Sequence, residues 1–409
     1  MIPILAPLSL FVLLVARVPV AFALAVVGGV SLLASAGPQL ALGIVSEVFF
    51  ETTASYVFLI VPMFVLMGEF LAVSGIAREI VECCQKWLGH LVGGVGYACV
   101  AASTVMAAVI GSSTASTAVM SSAAYGPMRS LGYAPGFAVG IIAISGTLAV
   151  MIPPSIILII YGILTNESIG KLLIAGVLPG LLTAFGYVFA IRVMIKLRPS
   201  LAPRVEPFNL GAATRGLGKV WPATLLVVIM IGSLYSGLAS PTEIGALGAL
   251  VALLISVSLG RMPKAAFSRA VRNAASVTAN LMLILIGALI FGYFVTESQL
   301  SQKALRLISE SGLGRWEIMF IIILIYLILG CFMDQIAILV LTTPLIYPII
   351  KSLGFDGVWF GIIMTKTAEI GFVTPPFGMN VFLASNITKV KMSECFRGVA
   401  PFILVELLL

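Results

Sequence analysis

Apolar residues run along this chain in long blocks, separated by short basic or glycine- and proline-rich stretches. A helix needs about 20 apolar residues to cross a bilayer. Blocks at 4–16 and 19–36, split by Arg17-Val18-Pro19, predict the first two spans. Further spans are predicted at 56–73, 134–164, 172–195, 220–237, 241–259, 276–296 and 357–387. Two more blocks, 91–128 and 316–350, are interrupted at Gly111-Ser112-Ser113-Thr114 and at Gly330-Cys331-Phe332-Met333-Asp334. Each interruption predicts a helical hairpin that turns inside the membrane and returns to its own side. Between these blocks lie two polar, amphipathic stretches, 75–89 and 297–315. They carry Arg78, Glu79, Glu82 and Lys86, or Lys303, Arg306, Glu310 and Arg315. That pattern predicts arm helices lying along the membrane surface. Only 12 residues follow Arg397, too few to cross, so the final span is expected to continue beyond this sequence.

Composition agrees. Of 409 residues, 60% are hydrophobic and 10% charged, where a soluble domain carries about 25% charged residues. A soluble globular enzyme is excluded, and the bilayer is the solvent. The net charge of +7 reflects topology rather than nucleic-acid binding, because the basic residues sit between apolar blocks. With hairpins that return and an N-terminus outside, 16 basic residues fall inside and 5 outside, Arg192 and Lys366 lying within spans. Arg17 and Arg204 belong to the inside set. Full crossings at the interrupted blocks would weaken this bias. The N-terminus has neither a charged leader nor a small-residue cleavage pattern, so it reads as a first span. The five cysteines show no CxxC spacing and read as reduced packing residues. A single histidine, His90, excludes a histidine-rich metal site and reads as structural.

A shift of 222 residues lays the second half over the first. Tyr125, Ser130, Leu131, Gly132, Pro153 and Pro154 fall on Tyr347, Ser352, Leu353, Gly354, Pro375 and Pro376. Pro19 falls on Pro241, and Ser112 on Asp334. The first copy crosses an odd number of times, so the copies are inverted, an architecture that places a transport site at their interface near the midplane.

Unpaired backbone cannot face lipid, so helix breaks at depth must line a cavity or a site. Two breaks are the hairpin tips. Two more precede Pro-Pro pairs, and proline ends one helix and starts the next. The first of these predicts two half-helices around an unwound Ser145-Gly146-Thr147, the second an opening at Glu369-Ile370-Gly371-Phe372-Val373-Thr374. Freed carbonyls at half-helix C-termini suit Na⁺, and N-terminal ends suit an anion. Asp334 is the sharpest single residue, because a carboxylate at a helix centre in lipid costs about 2.5–3.5 kcal/mol on insertion scales. Glu369 has Lys366 three residues earlier, the spacing of a helical salt bridge. Glu69 is a weaker candidate, and Glu243 reads as exposed at the interface.

These residues carry a resemblance. Gly111-Ser112-Ser113, Met151-Ile152-Pro153-Pro154-Ser155-Ile156, Tyr161-Gly162, Ser240-Pro241-Thr242-Glu243, Gly330 to Asp334 and Glu369 to Asn380 occur in the order seen in one family. The chain resembles the large membrane subunit of tripartite ATP-independent periplasmic (TRAP) transporters over almost its whole length. The resemblance implies an all-α polytopic membrane protein of two inverted repeats, moving its site as an elevator in the bacterial inner membrane. It implies a small four-helix membrane subunit and a periplasmic binding protein as partners, Na⁺ as coupling ion, and an organic acid as substrate. A C4-dicarboxylate, a sialic acid or a keto acid fits. Na⁺ would be held by Gly111, Ser112, Ser145, Gly146 and Thr147 in one copy, and by Gly330, Asp334, Gly371 and Thr374 in the other. The substrate would meet Ser113, Thr114, Pro154, Ser155, Pro376 and Asn380. Ala149 departs from the family's usual glycine, its counterpart here being Gly371, and would be strained if that backbone required φ > 0.

On this reading the chain divides into scaffold spans 1–74, an arm 75–89, a transport hairpin and broken helix 90–171, and a span with a cytoplasmic linker 172–219. Scaffold spans 220–296, an arm 297–315, a second hairpin and broken helix 316–388, and the start of a final span 389–409 follow. An intramembrane enzyme is disfavoured, since one His and a lone intramembrane Asp supply no nucleophile with its base. A channel needs no inverted broken helices around a closed site. A stand-alone Na⁺/carboxylate transporter, working without a binding protein, is the alternative function.

Overall fold

The computed structural model of the chain describes residues 2–16, 18–203, 205, 207–310 and 312–409. Arg17 and Arg204, two of the basic residues assigned to the inside, lie outside them. The first copy comprises α1 (Ile2–Val15), α2 (Val20–Ala36), α3 (Pro38–Ala54), α4 (Ile60–Ser74) and the arm α5 (Ile76–Leu88). It continues with the hairpin α6 (Gly94–Ile110) and α7 (Ser113–Ser130), the broken helix α8 (Pro135–Gly146), α9 (Leu148–Met151) and α10 (Ile156–Thr165), and then α11 (Ile169–Leu197). The second comprises α12 (Leu210–Ser236), α13 (Pro241–Ser258), α14 (Lys264–Glu297), the arm α15 (Leu300–Glu310) and the hairpin α16 (Arg315–Phe332) and α17 (Gln335–Ser352). Its broken helix is α18 (Gly357–Val373) and α19 (Met379–Thr388), and α20 (Met392–Leu408) follows. Among the described residues there is no strand, and eight helices are long and apolar enough to cross a membrane.

Helix ends repeat at the same spacing. Moved by 222, the bounds of α7 coincide with those of α17, and those of α6 with those of α16 to within one residue at its start. The local chemistry of the ends differs between copies while the boundaries stay. Ser112 begins α7 without a side-chain cap, whereas Asp334 caps α17 by accepting from the Ile336 N–H at 3.1 Å. Ser240 and Glu243 form the capping box that opens α13, and Glu243 stays exposed as expected. The sequence reading left 37–55 outside its spans, and α3 fills that gap. In the second copy the same stretch is one continuous 34-residue helix, α14, because no break replaces the extended backbone at Ser55.

Packing follows the repeat. α2 lies along α14, and α4 along α13, two contacts exchanged by the internal symmetry. Helices in lipid gain little from hydrophobic burial against each other, so small residues set their approach. A Cβ at Gly28 would lie 2.8 Å from the Phe291 nitrogen, and one at Gly287 would lie 2.5 Å from the Ala21 carbonyl. These helices form a frame. Inside it the hairpins and broken helices interlock: α16 on α18, α7 on α8 and α19, α10 on α17. The stretch Pro135–Thr165 is 89% buried over its most apolar window, against 22% for Leu210–Ser236, so the first broken helix is a core element and α12 lies at the periphery.

The arms keep their amphipathic pattern. α5 buries Ile76, Ile80, Val81 and Cys83. Glu79 on its flank receives both prongs of the Arg261 guanidinium, at 2.6 and 3.0 Å. The Trp87 indole donates to the Ala213 carbonyl at 3.1 Å, fastening α5 to α12. All five cysteines are free, and His90 packs against Phe208 with the rings tilted at 55° and their centroids 4.7 Å apart.

α8 and α20 meet at glycines: a Cβ on Gly398 would lie 1.8 Å from the Gly136 carbonyl oxygen. Gly398→Val is expected to force the helices apart and destabilise the fold by about 1–3 kcal/mol, the usual cost of overpacking, read as a lowered thermal unfolding midpoint in detergent.

Candidate functional site

The first hairpin turns at Gly111, whose backbone is left-handed (φ +65°) and closes α6. A Cβ there would sit 2.3 Å from the Pro154 carbonyl oxygen. The tip therefore rests on the break in the first broken helix, and the Ile156 N–H donates to the Gly111 carbonyl at 3.4 Å. That break spans Ile152–Ser155. This corrects the expectation of an unwound Ser145-Gly146-Thr147. Helix continues through Gly146 and resumes at Leu148, with only a kink at Thr147. The reason is the proline pair: Pro153 and Pro154 remove two backbone donors and disfavour helix before them, while Ser145 to Thr147 keep theirs. Thr147 is engaged, donating to the Ile144 carbonyl at 2.6 Å and pairing with the Tyr187 hydroxyl at 2.8 Å. Ser145 is fully buried, and Gly146 lets the Thr117 side chain lie against the helix. Ser155 caps α10 by accepting from the Leu158 N–H at 3.2 Å.

The second tip is a helix crossing. A Cβ at Gly330 would lie 2.8 Å from the Gly371 Cα, and one at Gly371 would lie 2.6 Å from the Gly330 Cα. Neither glycine has positive φ. Gly371 therefore serves close approach, and the φ > 0 requirement at Ala149 does not arise, since Ala149 is helical within α9. The symmetry-equivalent pair in the first copy is Ala108 and Ala149, both buried. Thr374 ends α18 and donates to the Ile370 carbonyl at 2.6 Å. The second break therefore lies at Thr374–Gly378 and not at the expected opening over Glu369 to Thr374, which stays helical through Val373 because the missing donors are those of Pro375 and Pro376. Pro376 is exposed beyond it.

Between the tips sits a residue that sequence reasoning underrated. Glu369 is buried on α18 and receives the side-chain amides of Gln335, from the second tip, and Asn380, from α19, the latter at 3.1 Å. The Ser113 hydroxyl of the first tip faces it too. One carboxylate thus joins both hairpins and both halves of a broken helix. The expected Lys366–Glu369 bridge is absent. Lys366 pairs with Glu406 of α20 and donates to Thr183 of α11. Side-chain direction explains the correction, since each member finds a better-placed partner on a neighbouring helix than along its own. The signal available in the sequence was the string of amide and carboxylate residues at Asp334-Gln335, Glu369 and Asn380, all beside predicted breaks.

A cavity of about 320 Å³ opens beside the two tips. Gly111, Ser112, Ser113 and Thr114 line it from one hairpin, and Asp334 and Gln335 from the other. Gly68 and Glu69 of α4, with Val277 and Leu281 of α14, close it from the frame. Its size falls at the low end of small-molecule sites, roughly 300–1,000 Å³. Pro154, Ser155, Pro376 and Asn380 lie outside its lining. Asp334 is open to it and pairs with no cationic side chain among the described residues. The N-termini of α7 and α17 both start at its wall, and helix N-termini favour anions. An unpaired carboxylate beside those ends suits a small organic anion entering together with a cation.

The sequence matches the family described as "Tripartite ATP-independent periplasmic transporter, DctM component" over residues 8–409. It is 34% identical over 359 residues to the C4-dicarboxylate TRAP transporter large permease protein DctM of Pseudomonas aeruginosa, covering 88% of this chain and 84% of that protein. It is 31% identical over 395 residues to the isethionate TRAP transporter permease protein DctMQ of Oleidesulfovibrio alaskensis, covering 96% of this chain and 62% of that one. The fold matches the crystal structure of the Alcanivorax borkumensis YdaH transporter, a transporter of unusual topology, with TM-score 0.68 at 12% identity over 92% of this chain and 88% of that chain.

Because the second tip is seated through two glycine backbones, Gly371→Val is expected to displace α16 and cut transport at least about tenfold while the protein still folds, at a destabilisation of about 1–3 kcal/mol. Uptake assays on protein shown monodisperse by size-exclusion chromatography check this.

Proposed function

We propose, from the premise that the chain belongs to the DctM component family of tripartite ATP-independent periplasmic transporters, that it carries a small organic acid inward in symport with Na⁺. The family is one of transporter permeases, not of enzymes, and the chain is a multi-pass membrane protein. The observation that carries the finer reading is the meeting of two hairpin tips around the cavity at Asp334, each tip beside a helix break.

Na⁺ binds first, at the carbonyls and hydroxyls near Gly111, Ser112 and Ser145 in one copy and near Gly330, Asp334, Gly371 and Thr374 in the other. Its charge offsets Asp334 and orders the tips. The anion then docks on the N-terminal ends of α7 and α17, against Ser113 and Thr114. The hairpins and broken helices move together, as an elevator, against the frame of α2, α4, α13 and α14. Only the difference in binding free energy between the two positions can shift that equilibrium. The partners are a small membrane subunit and a periplasmic binding protein that delivers the acid. A C4-dicarboxylate or another carboxylate such as a sialic acid is the substrate class. The inside excess of basic residues supports an inner-membrane placement with the N-terminus on the periplasmic side.

The test is uptake into liposomes holding this chain and its small subunit, with loaded binding protein outside. Uptake is expected only with an inward Na⁺ gradient and with the soluble partner, and Asp334→Ala is expected to abolish it. Uptake unchanged without Na⁺ would overturn the coupling. Equal uptake without the binding protein would point instead to a stand-alone Na⁺/carboxylate carrier.

A further inference from the structure

Lys366 and Glu369 stand three residues apart on α18, where a helix brings opposite charges together. The structure keeps them apart. Lys366 is paired with Glu406 of α20, both largely buried, and donates to the Thr183 hydroxyl of α11 at 2.5 Å. Glu369 is hydrogen-bonded only by neutral donors, the amides of Gln335 and Asn380 and the hydroxyl of Ser113, and Lys366 acts on it through space without an ion-pair contact. The carbonyl oxygen of Asn380, itself fully buried beside this carboxylate, has no donor. A carboxylate with no cation in ion-pair contact and an amide oxygen without a partner therefore lie buried side by side between the two tips. Asp334 adds a second negative charge close by.

The arrangement belongs to one copy. At the 222-residue shift, Glu369 corresponds to Thr147, Lys366 to Ile144 and Glu406 to Ala184. The buried carboxylate, the ammonium one turn away and the second carboxylate that captures that ammonium occur together in the second copy and are all replaced in the first.

We propose that Glu406 is a positioning residue for cation binding: it holds the Lys366 ammonium on the α11–α20 side of α18, and so leaves Glu369 as a charge that a bound cation, rather than Lys366, balances. The inference rests on the Na⁺ coupling proposed above. Without the Glu406 charge, Lys366 becomes a buried ammonium with no ion-pair partner, held only by the Thr183 hydroxyl. The carboxylate nearest along its own helix is Glu369. Lys366 turns to it, neutralises it and draws it from Gln335 and Asn380. The cation then meets a site already occupied by positive charge, and the bond between the tips is loosened as well.

The experiment is a Na⁺ titration of the purified membrane complex in detergent, at constant ionic strength with choline, following the thermal unfolding midpoint. Glu406→Gln is expected to raise the Na⁺ concentration for half-effect by about tenfold or more, as for a charge moved within a few ångströms of a site at low dielectric. Glu406→Asp, whose shorter side chain holds Lys366 less closely, is expected to give a smaller rise. Lys366→Met combined with Glu406→Gln removes both charges, a replacement buried pairs often tolerate, and is expected to return the value to within about threefold of wild type. This recovery separates positioning from mere structural support, which a second core substitution would worsen. A wild-type value for Glu406→Gln, or a double variant as weak as the single, overturns the proposal. If Glu406→Gln does not yield folded protein, Glu406→Asp decides: a raised value supports the proposal and a wild-type value overturns it. A wild type indifferent to Na⁺ would overturn the coupling itself, whereas a responsive wild type with variants that keep its half-effect concentration removes only the role of Glu406.

Discussion

Everything in this fold follows from the fact that hydrocarbon offers no hydrogen bonds. A helix can stop at the membrane's midplane only where protein takes up its free ends. The chain stops helices inside its apolar blocks at the two tips and at the two Pro-Pro breaks, and each tip is met by a broken helix. Gly111 rests on Pro154, and Gly330 on Gly371. The Ile156 N–H, released by the break, finds the Gly111 carbonyl. The interlocked centre is thus a mutual solution to backbone groups that would otherwise be orphaned, and the cavity is the space those crossings leave.

The two copies solve this problem with different residues. The first uses hydroxyls and small side chains: Ser112, Ser113, Thr117, Ser145 and Thr147. The second uses glycine crossings and carboxylates: Gly330, Gly371, Asp334 and Glu369. Shared geometry with unlike chemistry makes the two halves inequivalent: one presents hydroxyls and carbonyls, the other carboxylates. That difference fits the proposed pairing of a cation with an organic anion.

Much of this was legible in the sequence, because it depends on local chemistry. Glycine and proline mark the breaks, Ser240 and Glu243 spell a helix start, and the 222-residue shift reports the duplication. What stayed hidden depends on side-chain direction across helices. Lys366 and Glu369 look like partners at their spacing, but Lys366 binds Glu406, 40 positions further on, and no periodicity reveals that. The unwinding was placed at Ser145 to Thr147 because small residues suggest weakness, whereas loss of donors at Pro153 and Pro154 decides. α3 was missed because Glu47 and Glu51 interrupt its apolar pattern, although it packs well enough against α2 and α14 to form.

The frame itself is lopsided. On one side α14 runs unbroken for 34 residues, about 50 Å at 1.5 Å per residue, well beyond the roughly 30 Å of hydrocarbon in a bilayer. On the other, the matching stretch is jointed at Ser55 into α3 and α4. A stiff beam opposite an articulated one gives a mounting with directional compliance. If the core moves as proposed, the stiff α14 would bear its load while Ser55 bends, and a change in membrane thickness would tilt the beam but flex the joint.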